Sequence, residues 1–191
     1  MRVGILVGTM IVAAAGTALA QSPAPRMPLE SNVRLWFDGN STVRAFKCSA
    51  TTINANIQTD AVSANAADVA DLVAKASFVI PVAGLDCSNG TMNGHMRKAL
   101  KADEAPEISF VLSNYVVKGT TALINGTLTI AGKANPIEIP ATIEQEASGV
   151  RVRALKLIDM TQWGVKPPSL MMGTMKVKPM VSINFDVLVK R

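Results

Sequence analysis

The sequence predicts an all-β protein, an antiparallel β-barrel or sandwich of about eight strands with one short helix. Two observations carry this prediction. Apolar and polar residues alternate through most of the chain, which is typical of strands that bury one face. Only the stretch 91–101 has clear helical spacing, so strands do not alternate with helices as a parallel α/β sheet would require.

The strand pattern is clearest in residues 124–144. Every second residue over 124–130 is apolar or glycine, and the alternation resumes over 137–143. The intervening Gly-Lys-Ala-Asn-Pro at 132–136 interrupts it, so this region is predicted to form a β-hairpin with its turn there. Alternation alone does not tell whether the apolar face covers a packed core or a cavity.

The remaining elements follow along the chain as strands around a single helix. Strands are predicted over residues 33–37, 42–58, 76–85, 108–116, 121–131, 137–145, 150–157 and 177–189. Methionine and leucine residues at helical spacing predict the helix over 91–101, and Pro106 follows its end. Residues 158–175, with Pro167 and Gly173, predict an irregular segment before the last strand.

The first 20 residues are typical of a secretory signal peptide. Arg2 precedes an apolar run over 3–15, and Ala-Leu-Ala at 18–20 is a small-x-small cleavage site. The run is shorter than the roughly 20 apolar residues that a membrane-spanning helix needs. We therefore expect export of the chain rather than anchoring by this segment.

Cleavage is predicted between Ala20 and Gln21, which would place the protein in the periplasm or outside the cell. Residues 21–30 carry three prolines and predict a flexible leader. Residues 31–191 are then expected to form one barrel domain with a sizeable core.

The charge distribution argues against nucleic-acid binding. The formal net charge is +5, but the basic residues are scattered. Arg151 and Arg153 alternate along one strand, as do Lys176 and Lys178, which is typical of solvated strand faces. A transient contact with an anionic membrane surface stays open, and edge-strand pairing would allow a homodimer as well as a monomer.

The two cysteines, Cys48 and Cys87, are predicted to form a structural disulfide, because an isolated pair usually bridges in an oxidising compartment. A redox pair and a metal site are the alternatives. The first lacks Cys-x-x-Cys spacing, and the second lacks a neighbouring histidine.

Residues for catalysis or metal binding are sparse. The single histidine, His95, lies in the predicted helix and is expected at the surface. A zinc site needs about three protein ligands, which one histidine and a bridged cysteine pair do not supply. Asp103 and Glu104 are adjacent, but they lie in a predicted loop. The sequence therefore predicts neither an enzyme nor a metal cofactor.

Three segments, in a fixed order, carry a family resemblance. Met-Arg-Lys-Ala-Leu at 96–100 precedes Ala-Pro-Glu-Ile-Ser-Phe at 105–110. The hairpin at 126–137 is similar to a Gly-x-Leu-Thr-Ile-x-Gly-x-x-x-Pro-Val pattern, and Met-Thr-Gln-Trp-Gly-Val-Lys-Pro-Pro at 160–168 precedes the last strand. Together they resemble the YceI family, the lipocalin-like polyisoprenoid-binding proteins of bacteria, over about residues 31–190.

The resemblance implies a lipocalin-like antiparallel β-barrel with a long apolar cavity. Such a cavity would hold a polyisoprenoid chain, an isoprenoid quinone tail or a fatty-acid-like amphiphile, with no other cofactor. No catalytic activity is established for the family, so the resemblance implies a carrier or sequestering protein. The alternative is a non-catalytic envelope stress or interaction protein whose barrel is filled.

Alternate strand positions and the segment rich in methionine and tryptophan supply the candidate ligand-binding residues, because methionine is common at adaptable apolar sites. A register error of one place would exchange the inner and outer sets. We predict that the cavity is lined by Phe46, Phe110, Leu128, Ile130, Trp163, Met171, Met172, Ile183 and Phe185.

Overall fold

A computed structural model of the chain describes residues 26–28, 31–60 and 73–190. These residues form a twelve-stranded antiparallel sheet and one α-helix, α1 (Gly90–Ala99). The strands are β1 (Arg26–Pro28), β2 (Ser31–Ser41), β3 (Ala45–Ala50), β4 (Asn54–Asp60), β5 (Lys75–Pro81), β6 (Leu85–Asp86), β7 (Glu107–Lys118), β8 (Thr121–Ile130), β9 (Lys133–Glu146), β10 (Gly149–Asp159), β11 (Ser169–Leu170) and β12 (Met175–Lys190).

The sheet curls around an apolar interior. Its hydrogen-bonded order is β1-β4-β5-β7-β8-β9-β10-β12-β2-β3-β6, and β11 pairs with β12. Within the described part of the chain this path does not close on itself, but curling brings β2 into contact with β4. The result is a half-closed barrel, which confirms the predicted all-β, antiparallel, lipocalin-like fold.

The sheet has more strands than the eight or so predicted. The predicted strand over 42–58 is divided into β3 and β4, while β1, β6 and β11 are too short to show an alternating pattern. β1 comes from the predicted leader. It pairs with β4 and provides partners for the backbone N–H and C=O groups along that edge of β4. The rest of the leader and the predicted signal peptide, residues 1–25 and 29–30, lie outside the described residues.

The β8–β9 hairpin is confirmed, but its turn is tighter than predicted. Ala131 and Gly132 form the turn with φ of 49° and 77°, and β9 already begins at Lys133. Two central residues with positive φ are characteristic of the type I′ turn, which suits the twist of the flanking strands. Pro136 therefore lies within β9 rather than in the turn.

The ladder between β9 and β10 ends partway along the strands, at the pair Ala141 and Ala154. Pro136 and Pro140 both lie in the part of β9 beyond that point. Proline has no N–H and is tolerated where a strand lacks a hydrogen-bonding neighbour. We call this gap between residues 133–140 of β9 and 155–159 of β10 the β9–β10 seam.

One end of the interior, which we call the packed end, is filled by side chains from outside the main strands. Cys48 and Cys87 form the predicted disulfide, and Leu85 and Met96 pack around it. Asn89 caps α1 by accepting a hydrogen bond from the Met92 N–H at 2.9 Å. The helix thus holds its apolar face over this end of the sheet.

Candidate functional site

The middle of the curled sheet encloses an apolar cavity of about 240 Å³. Its wall is formed by inward-facing residues of most long strands. Several aromatic side chains in the wall are only half-buried, because part of each ring faces the cavity. These are Phe37, Phe78, Phe110, Tyr115 and Phe185.

Small residues beside the aromatic rings keep this space open. Phe185 on β12 is flanked across the strands by Ala154 of β10 and Leu35 of β2. Phe110 lies over Gly126, where an added Cβ would come within 2.4 Å of its ring. Alternation places these residues on the inner face. The Phe110 ring fills the space over Gly126, whereas the small Ala154 side chain leaves part of the volume beside Phe185 unfilled.

Five of the predicted ligand-binding residues meet at this cavity. They are Phe110, Leu128, Ile130, Ile183 and Phe185. All lie at inward positions of β7, β8 and β12, as their alternation predicts. Their contact with a ligand stays a prediction.

Phe46 and Trp163 do not line the cavity. The Phe46 ring covers Gly39 and packs edge-to-face on Phe37, with ring centroids 6.4 Å apart. Trp163 is buried, and its indole N–H donates to the Leu128 carbonyl at 2.9 Å. Both therefore act as packing residues of the wall, and Trp163 holds the turn over 160–163 against β8.

The predicted methionine wall is also placed differently. Met172 is fully exposed with a φ of 52°, because it lies at a left-handed turn before β12. Met171 precedes it, and its side chain lies outside the described part of the structure. The methionine that does line the cavity is Met160, which directly follows β10.

Two lining residues with polar groups were missed by the sequence-based prediction. Lys156 occupies an inward place on β10, where the series Val150, Val152, Ala154 and Ile158 is otherwise apolar. A charged residue in this otherwise apolar series is the sequence signal that could have identified Lys156. Tyr115 lies beyond a bulge in β7 that shifts the alternation, and its hydroxyl accepts a hydrogen bond from the Val73 N–H at 3.1 Å.

The outer face of the same wall carries a network of ion pairs. Asp186 is buried and binds Arg34 at 2.5 Å, Arg151 at 2.8 Å and Arg153 at 3.6 Å. Burial disfavours the charged Asp186 carboxylate, but hydrogen bonds from Arg151 and Arg34 outweigh it and hold its pKa below the usual value. Arg151 and Arg153 also pair with glutamates of β9, so the three arginines are matched by carboxylates.

The described residues offer little for catalysis. They contain no cluster of three or more His, Cys, Asp or Glu side chains that would hold a metal ion. His95 is half-buried in α1 rather than fully exposed. In the same residues, no helix has the length and apolar character needed to cross a membrane.

Known proteins share the sequence pattern and the fold of this chain. Residues 28–189 match the model of the YceI-like domain family. BcnA of Burkholderia cenocepacia has a similar structure, with a TM-score of 0.68 and 21% identity over 83% of this chain and 96% of that one. Among curated protein sequences, none matches this chain.

Two further solved structures have the same fold. A YceI protein of Campylobacter jejuni is 18% identical with a TM-score of 0.59, covering 98% of this chain and 99% of its own. A domain from Saccharophagus degradans, described as a polyisoprenoid binding domain, is 12% identical with a TM-score of 0.61, covering 88% of this chain and 99% of its own. At these identities the likeness establishes the fold.

Proposed function

This chain belongs to the YceI-like domain family, and we propose that it is an exported carrier or sequestering protein for a long apolar lipid. The lipid would be a polyisoprenoid, an isoprenoid quinone tail or a fatty-acid-like amphiphile held in the cavity. The observation that carries the proposal is the unfilled apolar cavity of about 240 Å³.

The size and lining of the cavity support an apolar ligand. An engineered apolar cavity of about 150 Å³ stays dry and binds benzene. The cavity here is larger, so it accommodates a segment of an alkyl or prenyl chain, with the remainder at its mouth. Each buried methylene contributes about 0.8 kcal/mol, so a chain of repeated isoprene units gains affinity with length.

The polyisoprenoid-binding description of the Saccharophagus degradans domain agrees with this ligand class. An unfilled interior disfavours the alternative of an interaction protein with a filled barrel. The absence of enzymatic activity, contact with a membrane surface and the oligomeric state stay predictions.

Export is supported by the disulfide between Cys48 and Cys87, because disulfides persist in oxidising compartments. A periplasmic or secreted carrier would need to protect an apolar chain from water while the chain crosses an aqueous space. The half-closed barrel supplies such an interior.

Calorimetric titration of the purified protein with prenols of increasing chain length tests the proposal. We expect affinity to rise with each added isoprene unit and to level off once the cavity is filled. Failure of every prenol, quinone and fatty acid to bind would contradict the proposal.

A pair of tryptophan variants locates the site. Ile183→Trp places a larger side chain in the cavity and should weaken prenol binding by at least about ten-fold. Leu155→Trp is the matched control, because Leu155 is exposed on the outer face of the neighbouring strand. Equal affinity of the two variants would show that the ligand binds elsewhere.

A further inference from the structure

Among the described residues that line the cavity, Lys156 is the only one with a charged side chain. It lies on the inner face of β10, between Ala154 and Ile158, and opposite Ile183 of β12. The side chain is half-buried. No described residue gives its ammonium group a hydrogen bond or an ion pair.

The other basic residues of this wall are neutralised. Arg34, Arg151 and Arg153 all contact Asp186 on the outer face, and two of them also bind glutamates. Within the described part of the chain, no such carboxylate contacts Lys156 on the inner face, where the neighbouring lining residues are aliphatic. Its positive charge is therefore available to a ligand in a way that the arginine charges are not.

Lys156 lies beside a gap in the main-chain hydrogen bonding between β9 and β10. Lys156 lies just beyond Ala154, where the β9–β10 ladder ends. On the other side of the seam, Pro136 and Pro140 have no N–H to offer. The 160–163 turn packs on the seam, where Trp163 shares a buried cluster with Ile158. At its far end the Asn135 amide donates to the Gln162 carbonyl at 3.1 Å. A polar headgroup at Lys156 would thus lie beside an opening in the main-chain hydrogen bonding of the wall.

We propose that Lys156 binds the anionic oxygen of an amphiphilic ligand, a phosphate or a carboxylate, whose apolar tail lies in the cavity. An ammonium group in a largely apolar site is stabilised by an opposite charge, since the low dielectric strengthens the pairing. Lysine suits this role because it is a compact charge on a flexible stem and a common phosphate ligand. The proposal rests on the lipid-binding function proposed above and specifies the headgroup class.

Matched ligands that differ only in the headgroup test this assignment. Geranylgeranyl phosphate is compared with geranylgeraniol, and palmitic acid with hexadecanol, by calorimetric titration at neutral pH. The wild-type protein should bind at least one anion ten-fold or more tightly than its alcohol. The pair that shows the preference distinguishes a phosphate from a carboxylate.

Lys156→Met should remove that preference while binding the alcohols as well as the wild type does, because the alkyl stem remains. Lys156→Arg should restore it. Lys98→Met, at an exposed position of α1, is the control and should bind like the wild type. Circular dichroism confirms folding, and Lys156→Gln replaces the methionine variant if that variant misfolds.

The outcomes separate the two proposals. Equal wild-type binding of anion and alcohol, or a preference that survives Lys156→Met, would overturn the role of Lys156 and leave lipid binding intact. If the wild type binds none of the four ligands, both proposals are overturned.

Discussion

The packed end and the cavity are both lined mainly by apolar side chains, but side chains fill the packed end and leave the cavity unfilled. At the packed end, Cys48, Cys87 and Met96 have exposed fractions of 1%, 7% and 8%. In the cavity, Phe110 and Phe185 have equally apolar neighbours but remain half-buried. The difference arises because α1 and the disulfide add side chains to the packed end, whereas no helix of the described chain enters the middle.

The comparison teaches that the curled sheet alone does not make a solid core. A strand contributes only alternate side chains to the interior, so a wide curl leaves a central space unless another element fills it. Matched measurements on the two regions therefore test whether the packed end serves stability and the cavity serves ligand binding.

The largest effect is expected from loss of the disulfide at the packed end. Cys48 and Cys87 are separated by 39 positions in sequence. In the loop-entropy model, breaking the bond lowers the free energy of unfolding by about 4 kcal/mol. Chemical denaturation with and without reductant measures this, and the Cys48→Ala/Cys87→Ala variant should not respond to reductant. A midpoint unchanged by reduction would show that the packed end is held by packing alone.

A matched pair of Val→Ala variants compares a fully buried residue of the turn between β5 and β6 with a residue of the cavity wall. Val82→Ala should lower the free energy of unfolding by about 2 kcal/mol, because a fully buried side chain loses its contacts. Val152→Ala should cost about 1 kcal/mol or less, because Val152 lines the cavity and is half-buried. Urea denaturation gives both values. Equal losses would mean that the cavity is packed in solution.

A pH titration of stability compares carboxylates beside the two regions. Hydrogen bonds from Asn93 and Ser88 lower the pKa of Asp86 at the packed end, as arginines lower that of Asp186 on the outer wall of the cavity. For a lowered pKa, stabilisation is complete above the unfolded value of about 4 and is lost as the pH falls through the folded value. Stability of the wild type should therefore fall below about pH 4.

Asparagine variants separate the contributions of Asp186 and Asp86 to the pH dependence of stability. Asp186→Asn should lower the free energy of unfolding by about 1.5 kcal/mol at neutral pH and flatten the acid dependence, because Asp186 is buried and bound by three arginines. Asp86→Asn should have the smaller effect, since Asp86 is exposed. Urea denaturation from pH 3 to pH 7 measures both, and an unchanged acid slope in Asp186→Asn would rule out the outer network as its source.

Much of the cavity wall could be predicted because strand alternation continues without interruption along β8 and along β12 from Val181 onward. Leu128, Ile130, Ile183 and Phe185 follow from parity alone. The disulfide was predictable as well, since an isolated pair of cysteines behind a predicted signal peptide usually bridges.

The positions of the other site residues depend on structural features that have no local sequence signal. A bulge between Leu112 and Asn114 changes the parity of β7 and brings Tyr115 inward. Phe46 is half-buried over Gly39 of β2, and Trp163 is buried with its indole N–H on a backbone carbonyl of β8. Each contact joins two different elements, so local spacing does not reveal it. Met172 is exposed because its turn geometry, rather than its hydrophobicity, sets its direction.

Native mass spectrometry of the protein exported by a bacterial host, followed by extraction of its lipids, tests most directly whether the cavity is a ligand site. We predict a population heavier than the polypeptide by the mass of one apolar lipid, lost in Ile183→Trp and retained in Leu155→Trp. Wild-type protein that is consistently free of lipid, and that also stays at the polypeptide mass after incubation with prenols, quinones and fatty acids, would contradict this account.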